Sequence, residues 1–376
     1  MAGTAPKTTS SPGDYIREEL TARNWTQDDL ARILDRPRPT INRILQGKHA
    51  ILPDMAIALG AAFGDDPEVW MARESAFRLS LAQAGSEDIK WRVRLYELAP
   101  VKDMEKRHWI LPTEGAIGLE AELKKFFGVE SLDQEPEIAA SMRRSGNTSS
   151  PLSPCQRAWC FRVRQLGSAL MADEYREDRL DKCAAALRKI AAFPQEIHKV
   201  PQTLASFGIR FVIVEPLPGC KVDGVALWES QQSPIIGMSA YYDRVDNFWF
   251  TLFHELSHIR HHDDPHVDSD LHADQPLEIK SPVESRADAE SASALIPKVE
   301  LESFMRRVGP LYSKDRIIKF AMRIKMHPGV VVGQLQKRGE IGWHANREML
   351  AKIRHIITPA ATTDGWGNSI DPRNLP

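Results

Sequence analysis

Long apolar runs are absent from this 376-residue chain. No stretch approaches the roughly 18–20 unbroken apolar residues that a membrane span requires, so a spanning helix is excluded. Met1 to Gly13 is small and polar and lacks the apolar centre of a secretion signal. Without such a signal the sequon Asn147-Thr148-Ser149 carries no meaning. Cysteine is scarce. Cys155, Cys160, Cys183 and Cys220 form no Cys-x-x-Cys pair and read as reduced thiols. No glycine-rich phosphate loop occurs, nor any repeat at solenoid spacing. These absences lead to the expectation of a cytoplasmic protein with no membrane partner.

Charge of one sign is also missing. Forty-nine Lys and Arg against 51 Asp and Glu leave a formal net charge of −2, so attraction to nucleic acid must come from a local patch. The hydrophobic share of 42% and charged share of 27% are those of a globular chain, long enough here for two or three domains. One patch exists. Arg36, Arg38, Arg43 and Lys48 fall within thirteen positions of an otherwise balanced chain.

Around that patch the pattern is helix, turn, helix. Gly13-Asp14 opens a helix with Ile16 and Leu20 on one face. Thr26 has the chemistry of an N-cap with Asp29 three residues on, and Leu30, Ile33 and Leu34 follow as an apolar stripe. Asp35-Arg36-Pro37 ends that helix, and Pro39 suits the first turn of the next. Ile41, Ile44 and Leu45 point inward there, leaving Arg38, Pro39, Asn42 and Arg43 toward solvent until Gly47 stops the helix. A further amphipathic helix spans Pro53 to Gly60, and another runs from Trp70 to about Ala84. An exposed helix bearing arginine and amide groups suits a DNA major groove. Arg38 and Arg43 could reach base edges, while Gln27, Thr40 and Lys48 would hold phosphates. A plain helical domain with solvated arginines is the other reading.

The second informative segment is Phe250 to His258, which holds His254-Glu255-x-x-His258 in an apolar run. On a helix, residues i and i+4 share a face, so both imidazoles can close on one metal ion while Glu255 is offset toward a bound water. A third protein ligand is then required, with the fourth position left open. The spacing His-x-x-Gly-x-x-His fails, because His261 and Asp264 stand at the Gly and final His positions. His262 continues the same helix and drifts around it, and is expected behind the ligands or at the surface. A glutamate on a later helix remains. Glu284 opens an Ala-rich helix that ends at Ile296-Pro297, and Asp288, one turn on, could accept the other ring N–H of His254. His261, His262, His266 and His272 with Asp263, Asp264, Asp268 and Asp270 read as a solvated loop rather than a second metal site. Ahead of the metal helix, strands are expected at Ile209–Val214, Gly224–Trp228 and Pro234–Met238, and helices at Leu180–Ala192 and Val200–Phe207.

Two resemblances follow from these residues. Pro12-Gly13-Asp14, Glu18-Glu19-Leu20, Trp25-Thr26-Gln27, Ile41-Asn42-x-Ile44-x-x-Gly47-Lys48 and Pro53-x-Met55-Ala56 resemble the Xre-type helix-turn-helix of HigA/VapI antitoxins. That resemblance implies binding to a double-stranded DNA operator as a homodimer. Where those proteins usually carry glycine before Trp-Thr-Gln this chain has Asn24, which also tolerates positive φ. Phe250-Thr251-Leu252-x-His254-Glu255-Leu256-x-His258, Glu284-x-x-Ala287-Asp288 and Leu295-Ile296-Pro297 resemble the ImmA/IrrE zinc peptidases. Three departures stand out: Asp288 replaces the usual Asn, Ser257 replaces a Gly, and Glu290-Ser291 replaces Phe-Ala. The last makes Glu290 a second candidate ligand beside Glu284.

The expected architecture is multidomain, an all-α helix-turn-helix domain plus an α+β zincin-like peptidase domain. Residues 11–85 would bind DNA and 86–154 would connect, with Arg143 to Pro154 as a linker. Residues 155–345 would form the peptidase, and 346–376 a C-terminal helix and tail. The expected function is a transcriptional regulator with a zinc-dependent endopeptidase acting on a regulatory protein, a repressor or toxin. Zn²⁺ would be held by His254, His258 and Glu284, with Glu255 as the base. The competing expectation is a HigA-like antitoxin or regulator whose peptidase fold only senses or binds a partner.

Overall fold

The computed structural model describes residues 11–82, 86–138, 152–263 and 281–365. The expected linker therefore lies, over 139–151, outside the described residues, as do Asp264, His266, Asp268, Asp270 and His272. The chain divides into two compact units, Met1–Val93 and Arg94–Pro376, and the described residues are mostly helical with one mixed sheet.

The first unit contains α1 (Pro12–Arg23), α2 (Gln27–Ile33), α3 (Arg38–Leu45), α4 (Pro53–Phe63) and α5 (Pro67–Ala82). Local chemistry sets each boundary. Ser11 and Asp14 cap α1 reciprocally, and Thr26 and Asp29 do the same for α2. Asn24 takes φ 56° between the two helices, the left-handed conformation that asparagine tolerates. The core is built from Ile16, Leu20, Leu30, Ala31, Ile41, Ile44, Leu45, Leu59 and Trp70. Close approach of α1 to α3 depends on Gly13, where an added Cβ would fall 2.4 Å from the Leu45 carbonyl oxygen. One expectation fails. Ile33 is 47% exposed, and Ala31 fills the interior position instead. The buried stripe of α2 runs through Leu30, Ala31 and the cap residue Leu34, which leaves Ile33 at its solvent edge.

Helix α6 (Ser86–Leu98) follows, and the second unit continues with α7 (Val101–Lys106), α8 (Gly115–Phe127) and α9 (Pro154–Ser168). Next come α10 (Leu180–Ile190), α11 (Val200–Ala205), and strands β1 (Arg210–Ile213), β2 (Gly224–Trp228) and β3 (Pro234–Met238). Helices α12 (Val245–His261), α13 (Pro282–Leu295), α14 (Lys298–Val308), α15 (Lys314–Arg323), α16 (Pro328–Lys337) and α17 (Arg354–Ile357) precede β4 (Thr362–Thr363). The expected C-terminal helix is thus a single turn, after which the chain returns to the sheet.

Strand order is β2-β3-β1-β4, with β2 antiparallel to β3 and the other pairs parallel. Alternation along the strands divides the two faces. Gly237 and Ile235 meet Val163 and Gly167 of α9, while Ala226, Ile236 and Met238 join the core around Phe248, Trp249 and Leu252 of α12. The sheet therefore separates α9 from α12. Helix α12 is buried from Val245 to Ile259. A tie from Ser291 Oγ to the Phe250 carbonyl, 2.7 Å, fixes α13 along it.

The corrected core of the first unit has a direct consequence. Leu30→Ala should cost about 2–5 kcal/mol, whereas Ile33→Ala should stay within about 0.5 kcal/mol. Denaturant midpoints of the two variants check this, and equal losses would contradict the assigned burial.

Candidate metal centre and nucleic-acid interface

Helix α12 brings His254 and His258 to one face, with ring centroids 4.8 Å apart. Glu284 approaches from the first turn of α13, where Ser281 caps the helix by accepting from the Glu284 amide at 3.2 Å. Its two carboxylate oxygens lie 3.1 Å from His254 Nε2 and 3.5 Å from His258 Nε2. One donor atom from each of the three residues lies within 4.8 Å of the others, and all three side chains are buried. Two imidazole nitrogens and one carboxylate oxygen at that separation fit a single tetrahedral zinc ion with an open fourth position.

The far side of each ring is oriented by a carboxylate. His254 Nδ1 is 3.1 Å from Asp288 Oδ1 on α13. His258 Nδ1 is 2.9 Å from Asp263 Oδ2, just past the end of α12. Arg286, between Glu284 and Asp288 on α13, donates to the same Asp263 oxygen. Burial raises the Asp263 pKa, but hydrogen bonds from His258 and Arg286 outweigh it and hold the carboxyl below the usual carboxylate range. A carboxylate oxygen behind each Nδ1 is placed to favour the proton there, which leaves Nε2 as the acceptor toward the common centre.

Glu290 faces elsewhere. It accepts from Ser257 Oγ at 2.7 Å and lies 2.9 Å from His261 Nε2. Burial works to raise its pKa, yet the Ser257 and His261 contacts leave it lowered. His262 ends α12 in the left-handed conformation, φ 50°, and its ring stacks on Trp228 at 4.5 Å. It therefore stands apart from the paired imidazoles.

Glu255 is fully buried on α12 beside the start of β2. Gly224, the first residue of that strand, makes room for it: an added Cβ would fall 2.3 Å from Glu255 Oε1. Cys160 on α9 is pushed up by burial and then by the nearby Glu255 charge. Strand β2 is an edge of the sheet, so its outer backbone groups have no strand partner among the described residues. Sequence reasoning missed Asp263, Arg286 and Gly224. By sequence Asp263 falls in a solvated His- and Asp-rich stretch, and five residues past a histidine is not a helical spacing that marks a partner.

In the first unit, α3 carries Arg38, Pro39, Thr40, Asn42 and Arg43. Arg38, Pro39, Asn42 and Arg43 are exposed and Thr40 is half-buried. Arg38 Nε pairs with Asp28 Oδ1 at 3.0 Å, with both side chains largely in solvent. Such a surface pair is worth little and releases the guanidinium readily to a stronger anion. Asn42 Oδ1 accepts from Gln46 Nε2 at 3.2 Å. Gln27 begins α2 half-buried, and Lys48 is exposed after α3. The exposed residues of α3 share one side of the helix, opposite Ile41, Ile44 and Leu45.

Among the described residues no helix is long and apolar enough to cross a membrane. The family described as helix-turn-helix matches residues 16–69. The uncharacterised HTH-type transcriptional regulator YddM of Escherichia coli K12 is 36% identical over 72 residues, covering 19% of this chain and 77% of that protein. Virulence-associated protein I of Dichelobacter nodosus is 30% identical over 79 residues, 21% of this chain and 73% of its own. Among solved structures, the Pseudomonas aeruginosa antitoxin HigA with the higBA promoter is 34% identical. It covers 22% of this chain and 90% of its own, with a TM-score of 0.21.

The packing of Gly224 against Glu255 is directly testable. Gly224→Ala should force the carboxylate aside and destabilise the second unit by about 1–3 kcal/mol through overpacking. Thermal melting with a structure of the variant checks this. An unchanged melting temperature with Glu255 in place would contradict the contact.

Proposed function

We propose that this chain, which belongs to the helix-turn-helix transcriptional regulators through its N-terminal segment, joins operator binding to a zinc-dependent endopeptidase in one polypeptide. The convergence of His254, His258 and Glu284 beside a buried Glu255 carries the peptidase reading. Operator binding rests on the regulator family and on the exposed side of α3. The similar Pseudomonas aeruginosa antitoxin HigA was solved with the higBA promoter. The partner here is a double-stranded operator, bound by a homodimer.

His254, His258 and Glu284 would hold Zn²⁺. When bound, zinc supplies Lewis-acid chemistry and makes a water at the site acidic near neutral pH. The protein's own groups do the rest. Glu255 takes the proton from the water that attacks the scissile carbonyl, then delivers it to the departing amine. Asp288 and Asp263 keep both imidazoles in the ligating tautomer. The open edge of β2 offers backbone hydrogen bonds to an extended substrate segment. That requirement for an extended segment favours a protein with a flexible stretch, and a repressor or toxin under the same regulation is the substrate we propose. The intact base favours catalysis over a fold kept only for sensing, because binding a partner makes no use of a buried Glu255.

Three outcomes are expected. Purified protein should contain zinc in proportion to chain, lost in His254→Ala and Glu284→Ala but retained in Glu290→Ala. Atomic emission measures this, and retention in Glu284→Ala would overturn the ligand set. Glu255→Gln should keep its zinc while cleavage of the protein encoded beside this gene falls by about 10²–10⁴-fold. Native-rate cleavage by that variant would remove Glu255 from the mechanism. On the DNA side, Arg38→Ala and Arg43→Ala should each cost about 1–3 kcal/mol of operator affinity, while Lys48→Ala should reduce the salt slope by about 1. Unchanged footprints in all three variants would exclude α3 as the reading helix.

A further inference from the structure

The four cysteines separate into two environments. Cys160 and Cys183 are fully buried, and burial pushes Cys183 up to about 12. Cys155 is different: it is half-buried in the first turn of α9, a helix of 15 residues that Ser153 caps. Cys220 ends the tight turn Leu217–Cys220, in which Gly219 takes φ +75° and the Cys220 amide donates to the Leu217 carbonyl at 2.9 Å. The neighbours of these two cysteines hold the segments together, because Gln156 Nε2 donates to the Lys221 carbonyl at 3.4 Å. With the segments joined beside them, the two thiols act on each other: Cys220 lowers the Cys155 pKa, and Cys155 raises that of Cys220. Ser153 Oγ lies 3.4 Å from Cys155 Sγ on another side. Cys155 is partly open to solvent, where a small oxidant could reach it, while the buried Cys220 borders a cavity of about 480 Å³ with Lys106, Lys221, Asp223 and Tyr242.

We propose that Cys155 and Cys220 are a reversible dithiol–disulfide pair that reacts with peroxides, Cys155 attacking and Cys220 resolving. The division of roles follows from the surroundings. Contact with the Cys220 thiol is the main reason Cys155 is held down to about 6, with Ser153 and the backbone amides of Gln156 and Cys155 adding to it against burial. The positive end of α9 favours the same thiolate. Cys220 is pushed up by that same contact and by burial, so it remains the protonated partner.

The chemistry balances with a hydroperoxide as oxidant. The Cys155 thiolate attacks one peroxide oxygen, the O–O bond breaks, and the departing hydroxide takes up a proton as water. Cys155 becomes a sulfenic acid. The Cys220 sulfur then attacks the Cys155 sulfur, the S–O bond breaks, and the hydroxyl leaves with the Cys220 proton as a second water. Two thiols lose two electrons, and the peroxide gains them. The bond would fix the turn that leads into β2, four residues before Gly224, onto α9. This reading is independent of peptide hydrolysis in the second unit.

The test uses the full-length protein. It is exposed to equimolar hydrogen peroxide, alkylated, digested without reductant and analysed by mass spectrometry. The expected product is one peptide pair joined through Cys155 and Cys220, lost on adding dithiothreitol, with Cys160 and Cys183 alkylated after denaturation. In Cys220→Ser, Cys155 should accumulate as a sulfenic acid that dimedone traps. Cys155→Ser should abolish the joined pair. The proposal is overturned if Cys155 advances to sulfinic acid with Cys220 still alkylated. Linkage of Cys155 to a different cysteine overturns it too, as does recovery of both thiols unmodified.

Discussion

The second unit is organised around the cost of burying polar groups in the middle of an apolar helix. Helix α12 carries two imidazoles and a carboxylate between Phe253 and Ile259, and all three are essentially shielded from water. Polar groups removed from water this far require partners of matching geometry. Glu284 and Asp288 from α13, and Asp263 from the end of α12, supply carboxylates around the two rings. The helix pair therefore cannot be repacked by hydrophobic fit alone. The register of α13 along α12 is fixed by one polar set, helped by Ser291 on the Phe250 carbonyl.

The same constraint reaches the sheet. Glu255 needs space on the side of α12 that faces β2, and Gly224 provides it at the first position of the strand. Placing that strand at the sheet edge leaves its outer backbone next to the buried carboxylate. A fold that satisfies the buried imidazole side of α12 thereby leaves an open edge beside Glu255. The helix-turn-helix unit is built on a simpler principle. Its capping boxes set where the helices begin, and its apolar residues turn inward, so α3 is left with polar residues on its free side.

Much of this was legible in the residues because it depends on short-range periodicity. The three long strands and α12 follow from local pattern, and so do the Thr26 cap and the left-handed Asn24. The meeting of Glu284 with His254 spans thirty residues, and its companion Asp288 follows from the i+4 geometry of α13. What was not legible lies where periodicity stops. Asp263 sits after the left-handed end of α12, and its partner Arg286 comes from another helix, so no spacing relates them. Strand β4 is only two residues long and belongs to the sheet through tertiary pairing with β1. Ile33 fails for a different reason, since the buried stripe of α2 runs through Leu30, Ala31 and Leu34 and leaves Ile33 to solvent. Glu290 had the composition of a ligand, but its place on α13 directs it to Ser257 and His261.

The central claim is that His254, His258 and Glu284 form one zinc site with Glu255 beside it. X-ray absorption at the zinc edge of the purified full-length protein tests this most directly. The account predicts two imidazole nitrogens at about 2.0–2.1 Å and carboxylate or water oxygens at about 2.0–2.2 Å, with no sulfur. Sulfur scattering at about 2.3 Å, or a zinc environment unchanged in Glu284→Ala, would contradict it.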